Sequence, residues 1–571
     1  MYYQTGKNEQ SIEALRQALR LKPELFVPNL FLGLNYVTLK RFREAIPYLQ
    51  YAAVAKPAEI QAQLALGQAY VGTGDTRRAI QSYLRATQLE PGNADAWYHL
   101  GVRYLEQVEA NARIMLTRHK DSSYLQALMA DNFSDQWATI QAAEAYKKAL
   151  SAPPFPSGTH ARYGFVLLNQ HDLPNAEREF HAELASTPGS LMGKLGLARW
   201  QVEQGAAEKG AAEIAHIAET DITFLRANAP MFMAGLGQTK LSEFQRVLEQ
   251  GQAAGEVSPE LVALFRDNPI READSQGSMA HPDHPVLPAK NSRLAAAALY
   301  ASGKYERCAK ALAPRVAVLQ IKELRLLASC GYATADYRAT FDAAGKLAVN
   351  AATEAEGLYW ETKSAQKLAS ASLAQASELD SSSPKLHVLL GDVYRQQKNF
   401  PEAEQEYRKA LALRPEDTGA LFGLSLALLA NSEIDEALQL AQAALVKNPD
   451  DPELNAVMGE ILCARDDYLG AEPFLKKSLN TKPEFVSRVH ALLGNVYAKT
   501  NRTQEAITEL KLALASDKDG SLHYQIARLY LKVGDRESAN QAFAVTKQIQ
   551  QQGLVRAAVA VQQGEQGKDP Q

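Results

Sequence analysis

The chain lacks most of the features that mark a function class. It has 3 cysteines in 571 residues, Cys308, Cys330 and Cys463, and an odd count cannot form a fully paired framework. Structural disulfides are therefore not expected, and Cys308 and Cys330 read as small buried core residues rather than a thiol pair. Charge of neither sign dominates: 61 Lys and Arg stand against 65 Asp and Glu. That leaves no electrostatic reason to expect nucleic acid as a partner. No apolar run approaches the roughly 20 residues that span a bilayer, and Met1-Tyr2-Tyr3 has no signal-peptide character. Nucleophile-elbow, zincin, Walker and dinucleotide-binding motifs are missing wherever they would carry meaning. No enzyme activity, catalytic residue, cofactor or metal is expected. The one tight set of potential ligands is His281-Pro282-Asp283-His284. Two histidines and a carboxylate can hold zinc. In a proline-rich loop, however, no helical spacing fixes both rings, so the stretch reads as an exposed linker.

What the chain does have is a period. Leu32-Gly33-x-x-Tyr36, Ala45, Ala52 and Pro57 are followed, 34 residues on, by Leu66-Gly67-x-x-Tyr70, Ala79, Ala86 and Pro91. Small residues recur where two helices must approach closely, Leu and Tyr recur on one helical face, and Pro recurs where a second helix must stop. The pattern resembles the tetratricopeptide repeat (TPR), a 34-residue helix–turn–helix unit. Long alanine-rich bacterial TPR proteins look similar. The resemblance implies an all-α solenoid, a right-handed superhelix of stacked helix pairs whose concave wall is lined by first helices.

Units begin near Phe26, Ile60 and Ala94 and continue from Ser123, Ser157 and Leu191. The unit from Ala94 is only 29 residues long, and its second helix is irregular. From about Phe224 the pattern fades. Leu241 to Gln252 reads as a helix, Pro259 to Arg266 as another capped by Ser258, and the proline-rich stretch to Pro288 as linker. Repeats resume near Ala289, and Ala355 to Ser383 is a second 29-residue unit. A shift of 261 residues aligns Tyr98–Pro188 with Tyr359–Pro449 without a gap, pairing Asp131 with Asp392 and Tyr146 with Tyr407. The shared short unit points to internal duplication. The expected organisation is therefore a first array over 1–223, a divergent segment over 224–288, a second array over 289–553, and a cap with a polar tail over 554–571.

Phase assigns the concave wall. In the first array it includes Val27, Leu30, Leu34, Val37, Gln61, Leu64, Gln68, Phe165 and Leu168. In the second it includes Lys385, Asp392, Arg395, Phe422, Arg488, Asn495 and Lys499. The first wall is more apolar, the second of mixed charge, and such walls suit helical or extended segments of partner proteins. The family's carboxylate clamp needs Lys and Asn at fixed positions of adjacent units. Asn495 stands at one of them, but Ala491 occupies the fifth position of its unit, so that ligand is disfavoured. The function expected is a non-catalytic protein-binding scaffold. The alternatives are an enzyme or metal site in 224–288, or an envelope assembly or secretion factor. The first repeat reads as truncated, so the native start is expected upstream. As it stands the chain reads as cytoplasmic, and an upstream leader would place it in the periplasm or envelope. Oligomeric state is not legible.

Overall fold

A computed structural model describes residues 8–266, 289–396, 399–480, 483–517 and 519–549. The His281–His284 stretch, the proline-rich linker and the expected tail lie outside the described residues. Among the described residues the secondary structure is helical throughout, with no strand.

The contacts gather the chain into two compact units, Met1–Leu379 and Asp380–Gln571. The first begins with α1 (Asn8–Leu21), α2 (Phe26–Thr38), α3 (Phe42–Ala55), α4 (Ile60–Gly72), α5 (Thr76–Leu89) and α6 (Ala94–Arg118). It continues with α7 (Ser123–Asp135), α8 (Thr139–Leu150), α9 (Thr159–Asn169), α10 (Leu173–Ser186), α11 (Leu191–Glu203) and α12 (Ala207–Met233). Then come α13 (Gln238–Ala253), α14 (Pro259–Arg266), α15 (Ala289–Ala301), α16 (Tyr305–Leu312), α17 (Ile321–Ala333), α18 (Tyr337–Ala348) and α19 (Glu354–Leu379). The second unit holds α20 (Pro384–Gln396), α21 (Phe400–Leu413), α22 (Thr418–Ala430), α23 (Ile434–Lys447) and α24 (Pro452–Ala464). It goes on through α25 (Tyr468–Lys477), α26 (Pro483–Lys499), α27 (Thr503–Ala513) and α28 (Ser521–Lys532), with further helix over 536–549.

Local chemistry sets these ends. Side chains of Asp75, Asn93, Asp172, Asp336, Asp417 and Asp467 accept hydrogen bonds from backbone N–H groups at helix starts. First helices close through a left-handed residue, such as Lys40 or Gly74. The N–H of Arg41 then donates to the Tyr36 carbonyl at 2.8 Å, and that of Asp75 to the Tyr70 carbonyl at 2.9 Å. Pro57, Pro91, Pro415 and Pro449 each stand just beyond the end of a second helix. As expected, α13 and α14 form, and Ser258 Oγ accepts from the Leu261 N–H at 3.2 Å.

Where the eighth residue of a unit is glycine, it is locked against the second helix. A Cβ on Gly67 would come within 2.8 Å of the Tyr83 ring, and one on Gly391 within 2.6 Å of the Tyr407 ring. Gly33 and Leu49, Gly164 and Phe180, and Gly494 and Leu510 repeat the arrangement. In every case the partner is the twenty-fourth residue of the same unit. The unit from Ala94 breaks the rule. It is not an irregular pair of helices, as the sequence suggests, but one long helix, α6. The other 29-residue unit is likewise one long helix, α19. The two pack along each other, with Leu373 of α19 over Gly101 of α6. Each short unit therefore supplies the other's missing partner, which is why residues 289–379 belong to the first compact unit.

Helices α16 and α17 pack back onto α12 and the starts of α9 and α11, while α18 meets α5 and α6 through Gly345 and Arg338. The N–H of Leu191 donates to Tyr305 Oη at 3.3 Å, Asn228 Nδ2 donates to the Ala333 carbonyl at 3.0 Å, and Ser157 and Ser329 pair through their hydroxyls at 3.0 Å. One expectation is corrected here. Cys308 and Cys330 form a disulfide, with Cα atoms 6.2 Å apart. Both are fully buried, as expected of small core residues. Stacking places the twentieth position of one unit against the next first helix, inside the range a disulfide spans. Cys463 is free.

The 261-residue shift recurs in the backbone. Helices α4, α7 and α11 recur as α17, α20 and α24 with both ends displaced by 261 residues. Left-handed residues recur at the same shift: Gly74 with Ala335, His171 with Ser432, Gly205 with Asp466.

Candidate functional site

The expected wall residues fall into three groups. Leu30, Val37, Phe165 and Leu168 are buried. Phe165 and Leu168 share one core with Leu324, Leu327 and Tyr359, so that part of the wall is covered by the chain's own later helices. Leu34, Leu64, Lys385, Asp392, Arg395, Phe422 and Asn495 are half-buried. Val27, Gln61, Gln68, Arg488 and Lys499 are exposed. The open wall thus consists of the α2 and α4 faces in the first unit and the α20, α22 and α26 faces in the second.

Where the wall is covered, the covering is polar at its centre. Asp131 on α7 accepts from Tyr146 Oη (2.5 Å, Oδ1), Tyr359 Oη (2.8 Å, Oδ2) and Lys363 Nζ (2.5 Å, Oδ2). Arg162 Nε lies 3.0 Å from Oδ1 as an ion pair without hydrogen-bond alignment. Burial alone would raise the Asp131 pKa. The Lys363 and Arg162 charges outweigh it and hold the carboxyl at about 2. Burial pushes the Tyr146 and Tyr359 hydroxyls well up, reinforced by the same carboxylate. These groups bind and position α19. A second buried carboxylate, Glu361, takes Arg77 of α5 at 2.9 Å and Asn111 of α6 at 3.1 Å. Burial dominates there and raises its pKa despite Arg77. Sequence reasoning missed this function because the partners of Asp131 and Glu361 lie far along the chain. The only trace was the pairing of Asp131 with Asp392 in the duplication.

The second unit repeats part of the motif. Tyr407 Oη donates to Asp392 Oδ1 at 2.8 Å, and Arg395 Nη2 lies 3.3 Å from the same oxygen. The Asp392 side chain is 39% exposed, against 8% for Asp131.

The fourth position of several first helices carries a recurring contact. Asn29, Trp97 and Asn455 donate to the carbonyls of Pro23, Pro91 and Pro449, at 2.9, 2.8 and 3.0 Å. In three units a histidine there pairs instead with a glutamate of the second helix: His160 with Glu179, His387 with Glu406, His490 with Glu509; His523, at the same position of the last unit, pairs with Asp517 ahead of its helix. Among the described residues no three His, Cys, Asp or Glu side chains meet as a metal site. No described helix is long and apolar enough to cross a membrane.

Family models described as tetratricopeptide repeats match residues 365–418 and 388–452, and again residues 1–25 and 487–519. One described as a TPR repeat matches 67–108. The cellulose synthase operon protein C of Pseudomonas fluorescens (strain SBW25) is 32% identical over 120 residues, which is 20% of this chain and 9% of that protein. The match thus spans about a tenth of the length of that relative. Among solved structures, PilF of Pseudomonas aeruginosa aligns at 19% identity over 39% of this chain and 99% of that one, with a TM-score of 0.29. MamA of Desulfovibrio magneticus RS-1 aligns at 18% identity over 30% and 96%, with a TM-score of 0.27. The repeat period, the glycine contacts and the matching family models together show that this chain carries tetratricopeptide repeats.

Proposed function

We propose that the protein is a non-catalytic scaffold that binds helical or extended segments of partner proteins along its open first-helix faces. The observation that carries this reading is the contrast within the wall. Phe165 and Leu168 are sealed by the chain's own helices, while Leu34 and Leu64 stand half-buried beside the exposed Gln61 and Gln68. Apolar groups flanked by amides on neighbouring helices suit a partner's apolar stripe. The two-tract plan, 1–223 and 289–553 about the 224–288 segment, belongs to the same reading, as do the wall positions Val27, Lys385, Phe422, Arg488, Asn495 and Lys499. Affinity capture of the tagged protein beside Leu34→Glu/Leu64→Glu tests it, with far-UV circular dichroism as the folding control. Partners lost only in the folded variant support the groove. Identical partner lists would sink it.

A second reading, an envelope assembly or secretion factor, has one specific observation in its favour. A buried disulfide between Cys308 and Cys330 suits an oxidising compartment. Fractionation of native cells, with the redox state of the two cysteines trapped at lysis, decides it. Reduced thiols in a cytosolic fraction would remove the support.

A further inference from the structure

We propose that Asp392, Arg395 and Tyr407 form the polar anchor of a groove that takes an amphipathic partner helix presenting a tyrosine and a lysine one turn apart. The inference rests on the scaffold reading and names the partner's chemistry.

The argument comes from the duplication. Unit 1 holds the same groove with its occupant in place. There Asp131 uses Oδ1 for Tyr146 and Arg162 and Oδ2 for Tyr359 and Lys363 of the incoming α19. In unit 2 the duplicate carboxylate, Asp392, uses Oδ1 for Tyr407 and Arg395. Its Oδ2, the oxygen that corresponds to the helix-binding one, takes no side-chain hydrogen bond among the described residues. The charge balance differs in one respect: Lys363 also faces Asp135 in unit 1, where the duplicate has Gln396, so the open groove sets Asp392 alone against Arg395. Position 162 is Gly423 in the duplicate, and the guanidinium comes from Arg395 on α20 instead. The apolar flank is kept, with Leu426 and Leu429 where unit 1 has Phe165 and Leu168. The chain's own counterpart of Lys363, on α6, is Val102, which carries no charge. In unit 1, Tyr359 and Lys363 stand at i and i+4 on one helical face, the spacing that lets both reach a single carboxylate.

The test uses a fluorescein-labelled peptide with the sequence of residues 354–379 and the full-length protein, read by fluorescence anisotropy. Saturable binding is expected, weakened about 10- to 100-fold by Asp392→Asn in the protein, the range of a lost hydrogen bond to a charged group. A peptide carrying Lys363→Glu should lose binding to the same degree, and that arm leaves the protein fold untouched. Equal affinity for the wild-type and Lys363→Glu peptides, equal affinity in Asp392→Asn, or no saturation at 1 mM peptide (~10-fold above an ordinary weak groove ligand) would each overturn the proposal. The scaffold reading stands or falls separately, because its Leu34→Glu/Leu64→Glu variant leaves this groove intact.

Discussion

Leu373 of α19 lies over Gly101 of α6 as closely as Tyr83 lies over Gly67 within an ordinary unit. A Cβ on Gly101 would meet Leu373 Cγ at 2.7 Å and the Ala369 carbonyl oxygen at 3.3 Å. The backbone oxygen cannot swing away as a side chain can. Gly101→Leu should therefore overpack the contact and cost on the order of 1–3 kcal/mol. Urea unfolding followed by circular dichroism measures it. Gly92→Ala, where nothing lies within 4 Å, is the control and should stay within about 0.5 kcal/mol of wild type. Equal effects at both sites would mean that α19 does not seat on α6 in solution.

Asp131 makes the same contact dependent on pH. Its folded pKa, about 2, lies below the ordinary carboxylate value of 3.8. The stability it contributes is thus fully present above the unfolded value and is lost as pH falls through the folded one, between roughly pH 4 and pH 2. Asp131→Asn strands Lys363 and Arg162 as buried, uncompensated cations and should cost about 3–5 kcal/mol at neutral pH. Between pH 4 and pH 2 the difference between variant and wild type should shrink. A difference that stays constant across that window would show that the carboxylate is not held ionised by its cations.

The Cys308–Cys330 bridge closes a short loop, its two cysteines standing 22 positions apart in sequence. Loop-closure entropy puts its contribution at about 3 kcal/mol. Cys308→Ala/Cys330→Ala should lower the free energy of unfolding by that amount, and dithiothreitol should destabilise the wild type but not the variant. Because both sulfurs are held in the bridge, alkylation without reductant should leave them untouched and label only Cys463.

Much of the fold was legible because it is local. A period of 34, glycine at the eighth position and proline after the second helix are each dictated by residues of one unit. The α6–α19 pairing was not legible. A 29-residue unit announces that a helix is missing but not which distant helix replaces it. The same limit hid the anchor at Asp131, whose partners Tyr359 and Lys363 come from α19. Phe165 and Leu168 show a further limit. An apolar wall position reads identically in sequence whether a partner or the chain itself covers it. The disulfide was missed for a related reason: cysteine count says nothing about which small core positions face each other.

The fourth-position contact gives a test of whether the repeat grammar is transferable. Asn455 is fully buried, and its Nδ2 donates to the Pro449 and Asp451 carbonyls at 3.0 and 2.7 Å. Asn455→His removes the donor that reaches Pro449 and should cost about 1–3 kcal/mol through the carbonyl left unpaired. The matching position on the second helix, the glutamate that pairs with His160, His387 and His490, is here the half-buried Phe474. Phe474→Glu alone loses apolar contact and should also destabilise. Together the two changes recreate the pairing of His387 with Glu406, at 2.6 Å, on a helix pair of the same geometry. The double variant should therefore be more stable than the sum of the single losses, by a coupling of about 0.5–3 kcal/mol. Thermal unfolding of the four proteins measures that coupling. A value near zero would mean that the histidine–glutamate pairs are surface decoration rather than an alternative lock for the start of the first helix.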